Sequence, residues 1–101
     1  MTTKLPPVHP GEILLEDFIK PLGLTSYRVA RDMGVAPLRI NQIVRGQRAI
    51  TADTALRLAR YFGTSAGIWL RLQARYELEV AESKLSLRIA REVKVLHLQT
   101  A

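Results

Sequence analysis

The chain has 101 residues, 48% hydrophobic and 24% charged, enough for one hydrophobic core and too few for two ordinary domains. The absence of cysteine removes disulfide scaffolds, thiol chemistry and every Cys-containing zinc pattern, and makes the reducing cytoplasm the expected location. The net charge is +6, no run approaches the ~18 apolar residues that would span a membrane, and the start MTTKLPPVHPG lacks an apolar signal-peptide core, so the protein is expected to stay where it is made.

Residues 1–8 are short and proline-containing, and are expected to form an arm with little structure of its own. His9-Pro10-Gly11-Glu12 then opens a helix. Pro10 fits the first turn, and Glu12 sits where a carboxylate favours the positive helix end. Ile13, Leu14, Phe18 and Ile19 supply a buried face. The helix stops near Lys20, because Pro21 disfavours helical geometry in the residue before it, and Leu22-Gly23-Leu24 makes the turn. With Glu12, Glu16 and Asp17 on it, this helix is the wrong face to bring near phosphate.

The stretch TSYRVARDMGVAPLRINQIVRG, from Thr25 to Gly46, reads as two short helices broken by a glycine. Thr25 is the expected N-cap of the first, and Gly34 can take the positive φ that ends it. Val29, Ala30, Met33, Val35, Ile40, Ile43 and Val44 are spaced to bury one face of each helix in a common core, and the small Ala30 lets the two cross closely. This is the sequence form of a helix-turn-helix. Its second helix, Pro37 to Arg45, is the one offered to DNA. Ala36 cannot cap that helix, which Pro37 partly offsets by fitting the first turn. Leu38, Arg39, Asn41, Gln42 and Arg45 are left on or near the outer surface.

After Gly46 a loop leads to Thr51, a second N-cap, with Ile50 and Ala55 arranged as a weak hydrophobic staple. Ala55, Leu58, Ala59 and Phe62 form the stripe of the fourth helix, which Gly63 closes. Ser65 caps a longer fifth helix with Ile68, Trp69, Leu72, Tyr76 and Val80 expected inward. The result is an all-α bundle of five helices over residues 9–83, with 84–101 as a tail. Two readings of the tail stand side by side. Leu78, Leu85 and Ile89 continue a helical face, whereas the β-branched Val93 and Val95 alternate and would pair as a short strand at a free edge. Its apolar content calls for a cover, either its own domain or a second copy of the chain.

The positive charge is concentrated. From Ser26 to Arg75 nine arginines stand against Asp32 and Asp53, an excess of +7, while the residues before sum to −1 and those after to 0. Arginine without lysine suits bidentate phosphate and base contacts, a solvated basic surface being the plain alternative. Arg39 could bridge guanine N7 and O6, Asn41 or Gln42 adenine N6 and N7, and Leu38 could lie on a thymine methyl. A phosphate clamp or a solvated arginine is the other reading of Arg39. Thr25 and Ser26 sit at a helix start that favours anions, and Arg28, Arg45, Gln47 and Arg48 flank the groove-facing helix as phosphate contacts. Trp69 and Tyr76 share a helical face seven apart and read as core residues rather than base stackers. His9 and His97 have no carboxylate at ligand-like spacing, so no metal or other cofactor is expected. Nothing resembles a nucleophile elbow, an oxyanion loop or a glycine-rich phosphate loop, so neither an enzyme nor a small-molecule substrate is expected.

HPGEILLEDFIKPLGLT, the helix-turn-helix and NQIVRGQRAITADTALRLARYFGTSAGIWLRLQARYEL together resemble the HigA-type antitoxins, also called VapI or plasmid-maintenance antidote proteins, of the Xre/lambda-repressor-like helix-turn-helix group. The likeness covers about residues 8 to 80, and RGQRAITADTALRLARYFGTS followed by WLRLQARY is its specific part. It implies a lambda-repressor-like fold and a homodimeric repressor that binds a palindromic operator in its own promoter. It also implies a cognate toxin, commonly a RelE-type, ribosome-dependent mRNA endonuclease, which the protein neutralises. The family's reading helix falls on Pro37 to Arg45, with Gly46 and Arg48 in the turn that follows; the toxin-binding surface is left unassigned. Two departures stand out: Ala36 replaces a frequent capping serine, and Ala66-Gly67-Ile68 replaces the Pro-Glu-Phe often seen before the tryptophan. A regulator of the same fold without a toxin, and a helical protein-interaction module that has lost DNA binding, remain as alternatives.

Overall fold

The computed structural model describes residues 5–98, and among these every helix starts at a polar cap or a proline. Helix α1 (Pro10–Ile13) runs on as a π-helical turn (Leu14–Ile19) and is followed by α2 (Ser26–Met33), α3 (Pro37–Val44), α4 (Ala52–Phe62) and α5 (Ala66–Glu92). Thr25, Thr51 and Ser65 accept the backbone N–H groups of Arg28, Thr54 and Ile68 at 3.1, 3.5 and 3.2 Å. Gly34 and Gly63 end α2 and α4 with φ of 72° and 75°, a region that a side chain would strain. Among the described residues the fold is therefore all-α, with five helices and no strand.

The core joins all five helices. Leu14 and Ile19 from the first meet Val29, Ala30, Met33, Ile40, Ile43, Ile50, Ala55, Leu58 and Trp69. Sequence spacing predicts a plain α-helix as far as Lys20, and the π-turn corrects it. A plain α-helix would set Leu14 and Ile19 about 140° apart. The wider turn, closed by the Lys20 N–H on the Leu15 carbonyl at 2.9 Å, carries both inward. Trp69 is 1% exposed, lies 5.2 Å from the Phe18 ring and donates its Nε1–H to Thr64 Oγ1 at 2.8 Å. Gln73 is buried yet satisfied: its Oε1 accepts the Ile50 N–H at 2.9 Å, which ties the loop after α3 to α5.

One expectation for α5 needs correction. Ile68 is 43% exposed rather than inward, because the buried line runs through Trp69, Leu72, Gln73 and Tyr76, one step round the helix. Of the two readings of the tail, the helical one holds as far as Glu92, where α5 crosses position 84 without a break through Leu85 and Ile89; residues 93–98 carry no regular structure, so the strand reading is not adopted. Nor does this segment fold back onto its own domain, since Val95 and Leu98 are 75% and 80% exposed. Residues 1–4 of the expected arm and 99–101 of the tail lie outside the described residues. Among those described, no helix is long and apolar enough to cross a membrane.

His9 is an N-cap that sequence reasoning misses. Its Nδ1 accepts the Gly11 N–H at 2.9 Å, and its ring meets Tyr76 edge-on at 4.8 Å. Burial pushes the imidazole pKa below the ordinary 6.5, against the opposing pull of the Arg48 backbone and the Glu77 carboxylate. A folded-state pKa below the unfolded one means that the unfolded chain binds the extra proton first. The stability contribution of His9 is thus complete above the ordinary value of 6.5 and declines as pH falls below it. Thermal melts between about pH 7 and 5 should show that decline, and His9→Asn, a cap that does not titrate, should flatten it. A wild-type melting temperature that stays level over this range would contradict the role.

Candidate DNA interface

The α2–turn–α3 unit is built as a rigid presenter of α3. The Val35 N–H reaches back to the Ala30 carbonyl at 3.0 Å, which seals the end of α2, while Ile40 and Ile43 are fully buried and fix the rotation of α3. Pro37 stands at the helix start, and Ala36 gives no side-chain cap, as its side chain requires. Gly11 braces α3 from behind. A Cβ there would overlap the carbonyl of Ile43, so the first turn of α1 lies directly against the backbone of α3.

This rotation sets the expected base-reading residues as a group. Leu38 is 60% exposed, Asn41 is exposed, Gln42 is half-buried and the Arg39 side chain keeps 31% of its surface open. Two of the four are already held. Arg39 Nη1 donates to Asp53 Oδ2 at 2.7 Å, and Gln42 Oε1 accepts from Arg48 Nε at 2.8 Å, which draws Arg48 onto the same surface. Arg45 is exposed at the end of α3, and Gln47 is exposed in the loop that follows. Thr25, Ser26 and Arg28 belong to the start of α2, and no hydrogen bond joins them to the α3 group among the described residues. The Thr25 hydroxyl accepts the Arg28 N–H of its own helix, and its O–H proton stays available to an outside acceptor. Arg28 leans on Asp32 at 3.4 Å.

Sequence reasoning overlooks the acids that organise these arginines. Asp53 Oδ2 takes Arg39 on one side and Arg57 Nε at 3.0 Å on the other, while Arg57 Nη1 donates to the Met33 carbonyl at 2.8 Å. The Arg39 hydrogen bond, and after it that of Arg57, holds the Asp53 carboxyl below the usual carboxylate range. The four-residue spacing of Asp53 and Arg57 was a visible signal for their pairing; nothing local points to Arg39. Beside the network lies a cleft of 440 Å³ lined by Arg39, Arg48, Thr51, Asp53 and Arg57, three guanidinium groups around one carboxylate. A second acid, Asp32, accepts the Tyr61 hydroxyl at 2.7 Å; that bond lowers its pKa and raises that of the phenol.

Elsewhere the chemistry is sparse. Trp69 is buried and Tyr76 packs on His9, so neither ring is offered for stacking. No group of three or more His, Cys, Asp or Glu side chains is placed to hold a metal ion among the described residues. The arrangement suits a polar, basic helix surface that docks against an anionic partner and reads it by hydrogen bonds.

The helix-turn-helix family model matches residues 15–69. Virulence-associated protein I of Dichelobacter nodosus is 54% identical over 87 residues, which cover 85% of this chain and 81% of that protein. Antitoxin HigA-1 of Vibrio cholerae is 36% identical over 76 residues, covering 75% and 71%. Among solved structures, the Pseudomonas aeruginosa antitoxin HigA with the higBA promoter superposes with a TM-score of 0.87 at 42% identity, covering 90% of this chain and 99% of that one.

Proposed function

The chain belongs to the Xre-like helix-turn-helix family of HigA-type antitoxins and VapI proteins, a family of DNA-binding regulators rather than enzymes, and we propose that it represses transcription from its own promoter as the antitoxin of a toxin-antitoxin pair. The observation that carries this reading is the surface of α3, which has no acidic residue of its own and offers Leu38, Arg39, Asn41 and Gln42 beside Arg45 and Arg48. The HigA relative solved with its promoter supports DNA as the partner.

In this mechanism α3 enters the major groove. Arg39 donates to guanine N7 and O6, Asn41 or Gln42 pairs with adenine, and Leu38 meets a thymine methyl. Thr25, Ser26, Arg28, Arg45, Gln47 and Arg48 hold phosphates and fix the register. A homodimer would place two such helices about 34–36 Å apart on a palindromic operator. The exposed apolar residues Leu85, Leu87 and Ile89 of α5, with Val93, Val95, Leu96 and Leu98 beyond it, are the surface that a second copy would cover. Occupying the promoter blocks transcription without a cofactor or small-molecule substrate, in the cytoplasm where the DNA lies. The HigA name of a relative supports a toxin as the second partner, and the resemblance to the HigA-type antitoxins implies that this toxin is a RelE-like mRNA endonuclease.

Arg45→Ala should weaken binding to all sequences alike and reduce the salt slope by about one unit. Equal slopes for variant and wild type would reject the phosphate role of Arg45. The whole reading is tested by purifying the tagged protein from its native cells, identifying the bound protein by mass and the bound DNA by sequencing. A small toxin together with the protein's own promoter is the expected result. Promoter DNA alone would mean a regulator without a toxin, and a protein partner without DNA would mean that α3 does not read DNA.

A further inference from the structure

We propose that Asp53 is a positioning residue that sets Arg39 for guanine and thereby determines specificity at the base pair Arg39 reads. The inference rests on the DNA-reading role of α3. A free arginine samples many rotamers and loses that freedom on docking. Here Arg39 is tethered before docking: its Nη1 donates to Asp53 Oδ2 at 2.7 Å. The tether is itself anchored, because the same oxygen accepts Arg57 Nε at 3.0 Å and Arg57 Nη1 grips the Met33 carbonyl at the end of α2. Asp53 also lies in the first turn of α4, where the helix end favours a carboxylate. Three helices therefore fix the position of one guanidinium.

Only Nη1 is engaged. The Nε–H and Nη2–H edge of Arg39 has no partner among the described residues, and those two parallel donors match guanine N7 and O6. The carboxylate has an opposing effect, since a negative charge beside phosphate repels every duplex alike. Asp53 thus lowers general affinity while sharpening choice, a combination that a merely stabilising salt bridge would not produce.

The test is a binding selection on random duplexes, read by sequencing, with the intact protein as wild type, Asp53→Asn, Arg39→Ala and the double variant. Asp53 is exposed and its replacement leaves the core untouched. Asp53→Asn should lower the preference for guanine at one position about tenfold while binding to non-cognate duplex strengthens severalfold. In the Arg39→Ala background the same change should leave the preference profile unaltered. An unchanged profile in Asp53→Asn, or a loss spread evenly over all positions, would overturn the proposal while leaving the DNA-reading role intact. A wild type that selects no sequence would overturn both.

Discussion

Gly11→Ala should destabilise the fold by about 3 kcal/mol, the upper part of the range for forcing extra volume into a packed site. The added Cβ would overlap the carbonyl oxygen and carbon of Ile43, backbone atoms that cannot swing aside as a side chain end can. Relief requires α1 to separate from α3, which opens the brace behind the helix that carries Arg39 and Gln42. Against the ~5–15 kcal/mol that holds a typical domain together, such a loss is large. Denaturant unfolding followed by circular dichroism should show a lower midpoint at unchanged slope. Gly67→Ala is the control. Its Cβ would meet only the flexible end of Arg71, at 2.9 Å, which can move away. An unchanged midpoint for Gly11→Ala would mean that α1 does not lie against the backbone of α3.

Trp69→Ala should cost more still, about 3–5 kcal/mol. The side chain is 1% exposed and packs on Phe18, itself 5.2 Å from Phe62, so its removal empties the junction of α1, α4 and α5. Thr64 Oγ1 also loses its donor. Trp69→Phe keeps much of the volume and leaves only that hydroxyl unpartnered, so its cost should be clearly smaller. Because Trp69 is the sole tryptophan, the unfolding is followed by circular dichroism rather than fluorescence. A loss below about 1 kcal/mol for the alanine variant would contradict the central place of the ring.

What the sequence discloses and what it hides divides along the range of the interactions involved. Caps at Thr25, Thr51 and Ser65 and the helix ends at Gly34 and Gly63 depend on residue type within one turn, and they stand where local chemistry puts them. The inward face of α3 follows from its 3.6-residue period, with Ile40 and Ile43 buried as spaced. His9 is hidden because histidine is not among the usual capping residues. The close approach at Gly11 depends on where α3 lies in space, and the Arg39–Asp53 pair joins residues fourteen apart on different helices. Neither leaves a local mark. The alternation at Val93 and Val95 is a true strand signal that goes unused, since a strand needs an edge and the described residues contain no sheet.

The claim on which the rest depends is that α3 discriminates one DNA sequence from another. Its most direct measurement is a titration of the intact protein against a duplex from its own promoter and a scrambled duplex of equal length and composition, at physiological salt. The promoter should bind at least about 10³-fold more tightly, the lower end of the usual margin between specific and non-specific sites. Equal affinity for the two duplexes would contradict the claim and reduce the basic surface around α3 to a solvated one.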